Sequence, residues 1–381
     1  MIYFDNAATS FPKSRPVEQM VIDAVRFYGG NPGRGGHRMA MRAAEKVFEV
    51  RQKAAAFFGA APENVIFTQN CTHALNISLK GVMEKGGHII CSVLDHNAVL
   101  RPLAAMERAG KISWDAAAVF ESDPDETARA FERLIRPDTR AIVCTHASNV
   151  TGTLLPVGKL AALCRRYGLT FILDPAQTAG VLPVRLDMGP DIICAAAHKG
   201  LGAVSGGLLI LRDGISLPSL TEGGTGTSSL SLEQPDLNPD RHEAGTLNTA
   251  GILSLGAGLD VLARRGLERT YRHEAALCAR FFEELRRTPG VTLPTKSFRM
   301  GEKAPLVSFN IRDLDAAAVS SLLSDRGFML RGGYHCAALA HPYLGTEGQG
   351  TVRFSPGPFN TLAQTELLLR EVKKIAQNPS A

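Results

Sequence analysis

The chain has 381 residues, 45% of them hydrophobic and 21% charged, the balance of an ordinary globular protein and not of a disordered, collagenous or coiled-coil one. Forty-two Lys and Arg against 37 Asp and Glu leave a net charge of +5, too dilute over this length to indicate a nucleic-acid or membrane partner. Seven scattered cysteines without a CxxC, a start (MIYFDNAATSFP) lacking the basic-then-apolar order of a signal peptide, and no apolar run of membrane-spanning length predict a cytoplasmic chain with reduced thiols and no metal site.

Short apolar runs recur along the chain and read as strands: VIFT at 65–68, HIICS at 88–92, AIVCT at 141–145, TFILD at 170–174, DIICA at 191–195 and GLLIL at 207–211. They are nearly continuous in apolar character, as strands covered on both faces should be. Helical patterns fall between them, as in ETARAFERLI at 126–135 and VGKLAALCRRYG at 157–168, the latter stopped by Gly168. Alternation of this kind predicts an α/β fold with a mainly parallel, seven-stranded-type sheet flanked by helices. The Gly-, Ser-, Thr- and Pro-rich stretch 214–250 is too long for a mere linker and reads as an ordered functional loop. A helix is expected over 251–265. A smaller α+β unit follows, with strands at 306–311, 328–331 and 351–355 and a last helix at 361–376. The expected division is a large domain over 13–255 and a small C-terminal domain over 256–381, with residues 1–12 packing on the small one.

Ligands of open α/β sheets bind beyond the carboxyl ends of the strands, so the polar residues there are the candidates. Thr72 and His73 follow VIFT and open an apolar-periodic helix, where free backbone N–H groups can hold an anion such as a phosphate; the alternative is a plain helix cap for Thr72. His96 follows HIICS and Asn149 follows AIVCT. Asp174 closes a buried-type strand with Gln177 on the next turn; a carboxylate there needs a positive or hydrogen-bonding partner, such as a protonated ring nitrogen, or else serves as a helix cap. Lys199 follows a further apolar strand among small residues, and a desolvated lysine has a lowered pKa and can act as a nucleophile or form a Schiff base. A phosphate cradle, an acid for a ring nitrogen and such a lysine at the ends of strands in one sheet are the parts of a pyridoxal-phosphate site.

With those parts in view, the chain resembles the class V aminotransferase-like group of fold-type-I pyridoxal-phosphate enzymes, in its cysteine desulfurase and selenocysteine lyase branch. The resemblance runs nearly end to end through YFDNAAT, NPGRGGH at 31–37, DHNAVL, THASNVTG, DPAQTAG, AHK, HEAGTLNT at 242–249, RGGYHC at 331–336 and TVRFS. It implies that Lys199 anchors pyridoxal 5'-phosphate and moves the substrate's α-proton, that Asp174 keeps the ring nitrogen protonated, and that Gln177 bonds the ring hydroxyl. It further implies that His96 stacks on the ring and assists proton transfer, that Asn149 sits beside the cofactor, and that Thr72 and His198 bind the phosphate with Thr246 of the partner in a homodimer. Arg353 would clamp the substrate carboxylate, and His37 and Arg331 would line the substrate pocket. The thiol of Cys336 would take the sulfur of L-cysteine as a persulfide and release L-alanine, with Arg331 and His335 favouring the thiolate. The short RxGxHC loop matches the second group of desulfurases. Ala196 stands where many relatives have a hydroxyl residue, and Tyr334 where many have histidine.

Three other readings remain open on the sequence. The same scaffold could carry a selenocysteine lyase or a cysteine/cystine C–S lyase, which would depend less on Cys336. A nucleotide-binding α/β protein is disfavoured because no GxGxxG follows the first strand and no GxxxxGK[ST] occurs. A non-catalytic cofactor-binding protein is opposed only by the intact set of Lys199, Asp174, His96 and Cys336. A substrate related to cysteine or selenocysteine and a sulfur-acceptor protein are the expected partners.

Overall fold

A computed structural model describes residues 1–33 and 35–378; Arg34 of the NPGRGGH motif and residues 379–381 of the 256–381 unit lie outside it. Two helices lead into the sheet, α1 (Arg15–Phe27) and α2 (Arg38–Phe58). A βα alternation follows: β2 (Val65–Thr68), α3 (Cys71–Val82), β3 (Gly87–Ser92), α4 (Asn97–Arg108), β4 (Ile112–Ala117), α5 (Pro124–Glu132), β5 (Thr139–Thr145), α6 (Val157–Tyr167), β6 (Thr170–Asp174), β7 (Ile192–Ala196) and β8 (Gly207–Leu211), where β1 is Ile2–Tyr3 at the chain start. The strands form a seven-stranded sheet in the order β2-β8-β7-β6-β5-β3-β4. β8 is the reversed strand, antiparallel to β2 and β7, and the other pairings are parallel. The predicted α/β architecture with a mainly parallel sheet is the one observed.

Side chains alternate across this sheet, and each face has its own core. One face packs Phe67, Ile90, Ile142, Phe171 and Ile193 against α2, α6 and α7 (Thr249–Arg265). The other packs Ile66, Ile89, Val143, Ile172 and Cys194 against α3 and α4. The double covering is why the strands read as unbroken apolar runs. β4 escaped prediction because it is the edge strand, and its sequence ISWDAA is only partly buried.

Helix α8 (Leu267–Arg286) leads to the smaller unit. Its sheet has the order β12-β13-β10-β9, with β9 (Val291–Thr292), β10 (Val307–Ile311), β12 (Arg331–Gly333) and β13 (Thr351–Phe354). The run predicted as one strand at 328–331 is two: β11 (Phe328–Met329) pairs with β1, whereas β12 pairs with β13. Helices α9 (Ala316–Asp325), α10 (Ala340–Leu344) and α11 (Leu362–Gln377) complete it, α11 opened by a capping box of Thr361 and Gln364. Phe4, Phe281, Phe309 and Phe354 form the centre of its core, Phe281 and Phe354 stacked at 4.1 Å.

The polar stretch before α7 has almost no regular structure, yet it is bolted to the sheet. Glu243 forms a two-pronged ion pair with Arg51 of α2 at 2.8 Å on each side and accepts the Phe67 N–H of β2 at 2.6 Å. Both partners are buried, so removing either would strand a charge in a dry site. Among the described residues no helix is long and apolar enough to cross a membrane.

Candidate active site

Five strand ends and two strands of the smaller unit meet at one cavity of about 220 Å³. Thr72 reaches it from the first turn of α3, His96 from the cap of α4 and Asn149 from the turn after β5. Asp174 is the last residue of β6, and Gln177 follows it. His198 and Lys199 follow β7, while Arg331 and Arg353 come from β12 and β13. The turns bearing Gln177 and Lys199 touch through Gly180 and Gly200; a Cβ on either would overlap the other's backbone or that of Ala179.

Lys199 is desolvated, and that burial together with the Arg353 charge lowers its pKa; Asp174 pulls the other way. The neutral amine that a nucleophile needs is thereby made more accessible. Asp174 is buried, and desolvation raises its pKa. Its carboxylate accepts the Ala176 N–H at 2.9 Å and meets the Cys71 thiol at 3.6 Å. That is a thin shell for a buried charge, which leaves it suited to a cationic partner in the cavity. Gln177 donates to the Ala7 carbonyl at 3.2 Å. The cap of α3 is Asn70 and not Thr72: Asn70 Oδ1 accepts the His73 N–H at 2.9 Å. The positive end of α3 thus opens on the cavity at Asn70, Cys71 and Thr72.

His96 caps α4, its Nδ1 accepting the Ala98 N–H at 3.0 Å, which puts the ring proton on Nε2. Burial and the charges of Lys199, Arg331 and Arg353 push its pKa down to about 4. His198 also drops to about 4 through burial, then Lys199 and Lys13. Both rings are neutral near pH 7. Beneath His96, the buried Asp95 accepts the Ser92 N–H and hydroxyl at 2.6 and 2.7 Å and the Thr145 N–H at 2.7 Å. This brace ties the ends of β3 and β5 together.

Arg353 is 2% exposed, and its neighbour across the strand pair is Arg331. Nη1 donates to the Asn149 carbonyl and Nη2 to Asp5 Oδ1, both at 3.0 Å, while Nε has no partner among the described residues. Asn149 gives its amide N–H to the His335 carbonyl at 2.6 Å, leaving its buried Oδ1 without a donor among the described residues. Both residues line the cavity, although these two unpaired atoms are themselves sealed within the protein.

Not every predicted residue reaches this cavity. His73, one step round α3 from Thr72, lines a separate recess with Thr246. His37 caps α2, accepting the Ala40 N–H at 3.4 Å, and is exposed. Ala196 lies on the wall.

Cys336 is the one exposed cysteine; Cys71 is partly buried and Cys91, Cys144, Cys164, Cys194 and Cys278 are buried. Its loop is pinned to the cavity rim: the Asn97 N–H donates to the Cys336 carbonyl at 2.7 Å, next to His96. His335 and Cys336 both adopt left-handed backbone, φ +47° and +56°, a local cost met only where tertiary contacts enforce it. The expectation that His335 tunes the thiolate is corrected here. Its ring is turned inward, 3% exposed, and its Nε2–H donates to the Thr351 carbonyl at 2.9 Å. Burial and the Arg353 charge push its pKa down to about 2, so it carries no positive charge to offer.

That depressed pKa predicts a pH effect. The unfolded histidine takes a proton near pH 6.5 and the folded one does not, so stability is lost as pH falls below about 6.5. At pH 5 the loss from His335 alone is about 2 kcal/mol relative to pH 7. Urea unfolding at the two pH values checks it: His335→Asn should lose about 2 kcal/mol less than the native chain.

Residues 2–368 match the family model for class-V aminotransferases, and the chain belongs to that family. It is 30% identical to a probable cysteine desulfurase of Methanothermobacter thermautotrophicus, covering 98% of this chain and 94% of that one. It is 32% identical to a probable cysteine desulfurase of Mycolicibacterium paratuberculosis over 99% of this chain, which spans 56% of that longer protein. Its fold superposes on the apo structure of the cysteine desulfurase from Thermococcus onnurineus NA1 with a TM-score of 0.87, at 28% identity and covering 99% and 94% of the two chains.

Proposed function

We propose that this protein is a pyridoxal-5'-phosphate-dependent cysteine desulfurase that converts L-cysteine to L-alanine and keeps the sulfur on Cys336. The observation that carries the reading is an exposed thiol on a loop tethered to the rim of a cavity that holds a desolvated lysine. The donor set fits the cofactor: a buried acid short of a partner at Asp174, a helix N-terminus at Thr72 and a buried lysine, all lining one cavity. Lys199 would hold the cofactor, Asp174 its ring nitrogen, Gln177 its hydroxyl, and Thr72 and His198 its phosphate. The bound group supplies an electron sink that makes the substrate's Cα–H acidic.

The chain's own residues do the rest. Arg353 offers N–H groups to the substrate carboxylate beside Asn149. Lys199 would take the α-proton, and its lowered pKa fits it for that exchange. His96 is held as an Nε2–H tautomer that can donate toward the cavity. The Cys336 thiolate attacks the substrate sulfur; an S–S bond forms, the Cβ–S bond breaks, and its electron pair stays on carbon. Protonation of that carbon completes L-alanine, and a persulfide remains for transfer to an acceptor protein. The reading includes a homodimer in which the partner's copy of the Thr246 loop completes the phosphate site. Supporting it, Thr246 lies off this cavity in its own chain, and Phe27, Met39, Met41 and Phe48 leave an apolar surface uncovered on α1 and α2.

The test is to incubate the cofactor-loaded protein with L-cysteine and quantify L-alanine and protein-bound sulfur. Equal amounts of both in the first turnover are expected. Alanine with free sulfide and no bound sulfur would favour the lyase reading, and no alanine at all would refute both.

A further inference from the structure

Arg353 is too deeply buried to hold a charge without help. Its help comes from the far end of the sequence: Asp5 accepts from Nη2 at 3.0 Å. We propose that Asp5 is a positioning residue for the substrate carboxylate, fixing the plane in which the cavity-lining Arg353 guanidinium meets the amino acid. This rests on the proposed function above, because it assigns the carboxylate of that substrate to Arg353.

Asp5 is itself well fixed. It pairs with Ser355 as a parallel bridge, two residues beyond Arg353. The Tyr3 hydroxyl donates to the Asp5 carbonyl at 3.0 Å, and the Ser355 N–H donates to the Phe4 carbonyl at 2.9 Å. The carboxylate is thus delivered from a strand end that cannot drift relative to β13. A guanidinium has five N–H donors in a rigid plane. Asp5 takes one from Nη2 and the Asn149 carbonyl one from Nη1, which sets that plane. A two-pronged grip on a carboxylate uses two adjacent N–H groups of such a plane and depends on its orientation.

Two effects of losing Asp5 oppose each other. Removing an anion strengthens the bare attraction of Arg353 for a carboxylate. It also releases the guanidinium beside Arg331, its cross-strand neighbour of the same sign, and beside Lys199. Orientation wins in this geometry, because the like charges push the freed group out of the plane that the grip needs. Asp5→Asn separates the effects: the amide keeps an acceptor oxygen but no charge.

The experiment is calorimetric binding of L-alanine and of ethylamine, which is alanine without its carboxylate, to the cofactor-loaded protein and its Asp5→Ala and Asp5→Asn variants. Asp5→Ala should weaken L-alanine by about tenfold or more and leave ethylamine within about twofold, while Asp5→Asn, which keeps the acceptor but not the charge, falls between native and Asp5→Ala for L-alanine and also leaves ethylamine within about twofold. Equal weakening of both ligands would make Asp5 a general structural residue and overturn the proposal. So would native or tighter binding of L-alanine by Asp5→Ala. If the native protein binds L-alanine no better than ethylamine, Arg353 receives no carboxylate and the proposal also falls. A native protein that shows the expected binding but forms no alanine from L-cysteine would refute the desulfurase reading and leave the role of Asp5 standing.

Discussion

Lys199→Ala is expected to lower alanine formation from L-cysteine by at least about 10⁴-fold, since it removes both the covalent attachment and the group that exchanges the α-proton. The same variant should lose the visible absorption of the lysine-bound cofactor. Lys199 is the lysine on the cavity wall. Its environment lowers the ammonium's pKa by burial and by the nearby Arg353, against the pull of Asp174. The site therefore holds a lysine biased toward the free amine, which an ion-pairing role would not require. Lys199→Arg makes the test sharper: it preserves a cation but cannot deprotonate. It should be as inactive as the alanine variant. Retention of more than about a hundredth of native activity by either variant would contradict the assignment.

Cys336→Ala should lower alanine formation by about 10²-fold or more while leaving the cofactor's absorption and the melting temperature close to native. The side chain is exposed and buries no core surface. The left-handed backbone at this position, φ +56°, is as costly for alanine as for cysteine, so the substitution changes chemistry and little else. Cys336→Ser should be no better, because a hydroxyl at neutral pH supplies no comparable nucleophile. Alanine formation at the native rate by Cys336→Ala, with sulfide released, would make the thiol a bystander and the protein a C–S lyase.

Much of the scaffold was legible because burial and sequence pattern coincide there. The runs at 65–68, 170–174 and 207–211 are strands with those same limits, since a strand covered on both faces keeps its interior positions apolar. Gly168 ends α6 in left-handed backbone as read. The edge strand β4 failed the same pattern, its Asp115 facing solvent. The 328–331 run split because Phe328 and Met329 answer to β1 while Arg331 answers to β13, and no local pattern encodes partners that distant.

The site was legible where chemistry sits at strand ends and illegible where it depends on orientation. His335 precedes the thiol and invited an electrostatic role, but the chain turns its ring inward to Thr351. Asn70 took the cap that Thr72 could have filled. Asp5 and Asp95 went unassigned, although both follow apolar residues. The partner of Asp5 lies 348 positions away, and Asp95 is hidden behind the more conspicuous His96. An acidic residue next to an apolar run, with no local cation, is the one signal that would have raised both.

The central claim is that Cys336 holds the sulfur. A single turnover of L-cysteine without reductant, followed by mass analysis of the intact protein and its peptides, tests it most directly. The chain should gain one sulfur atom per alanine formed, on the peptide that contains Cys336. Alanine formed with no added sulfur on the protein, or with the sulfur on any other cysteine, would contradict it.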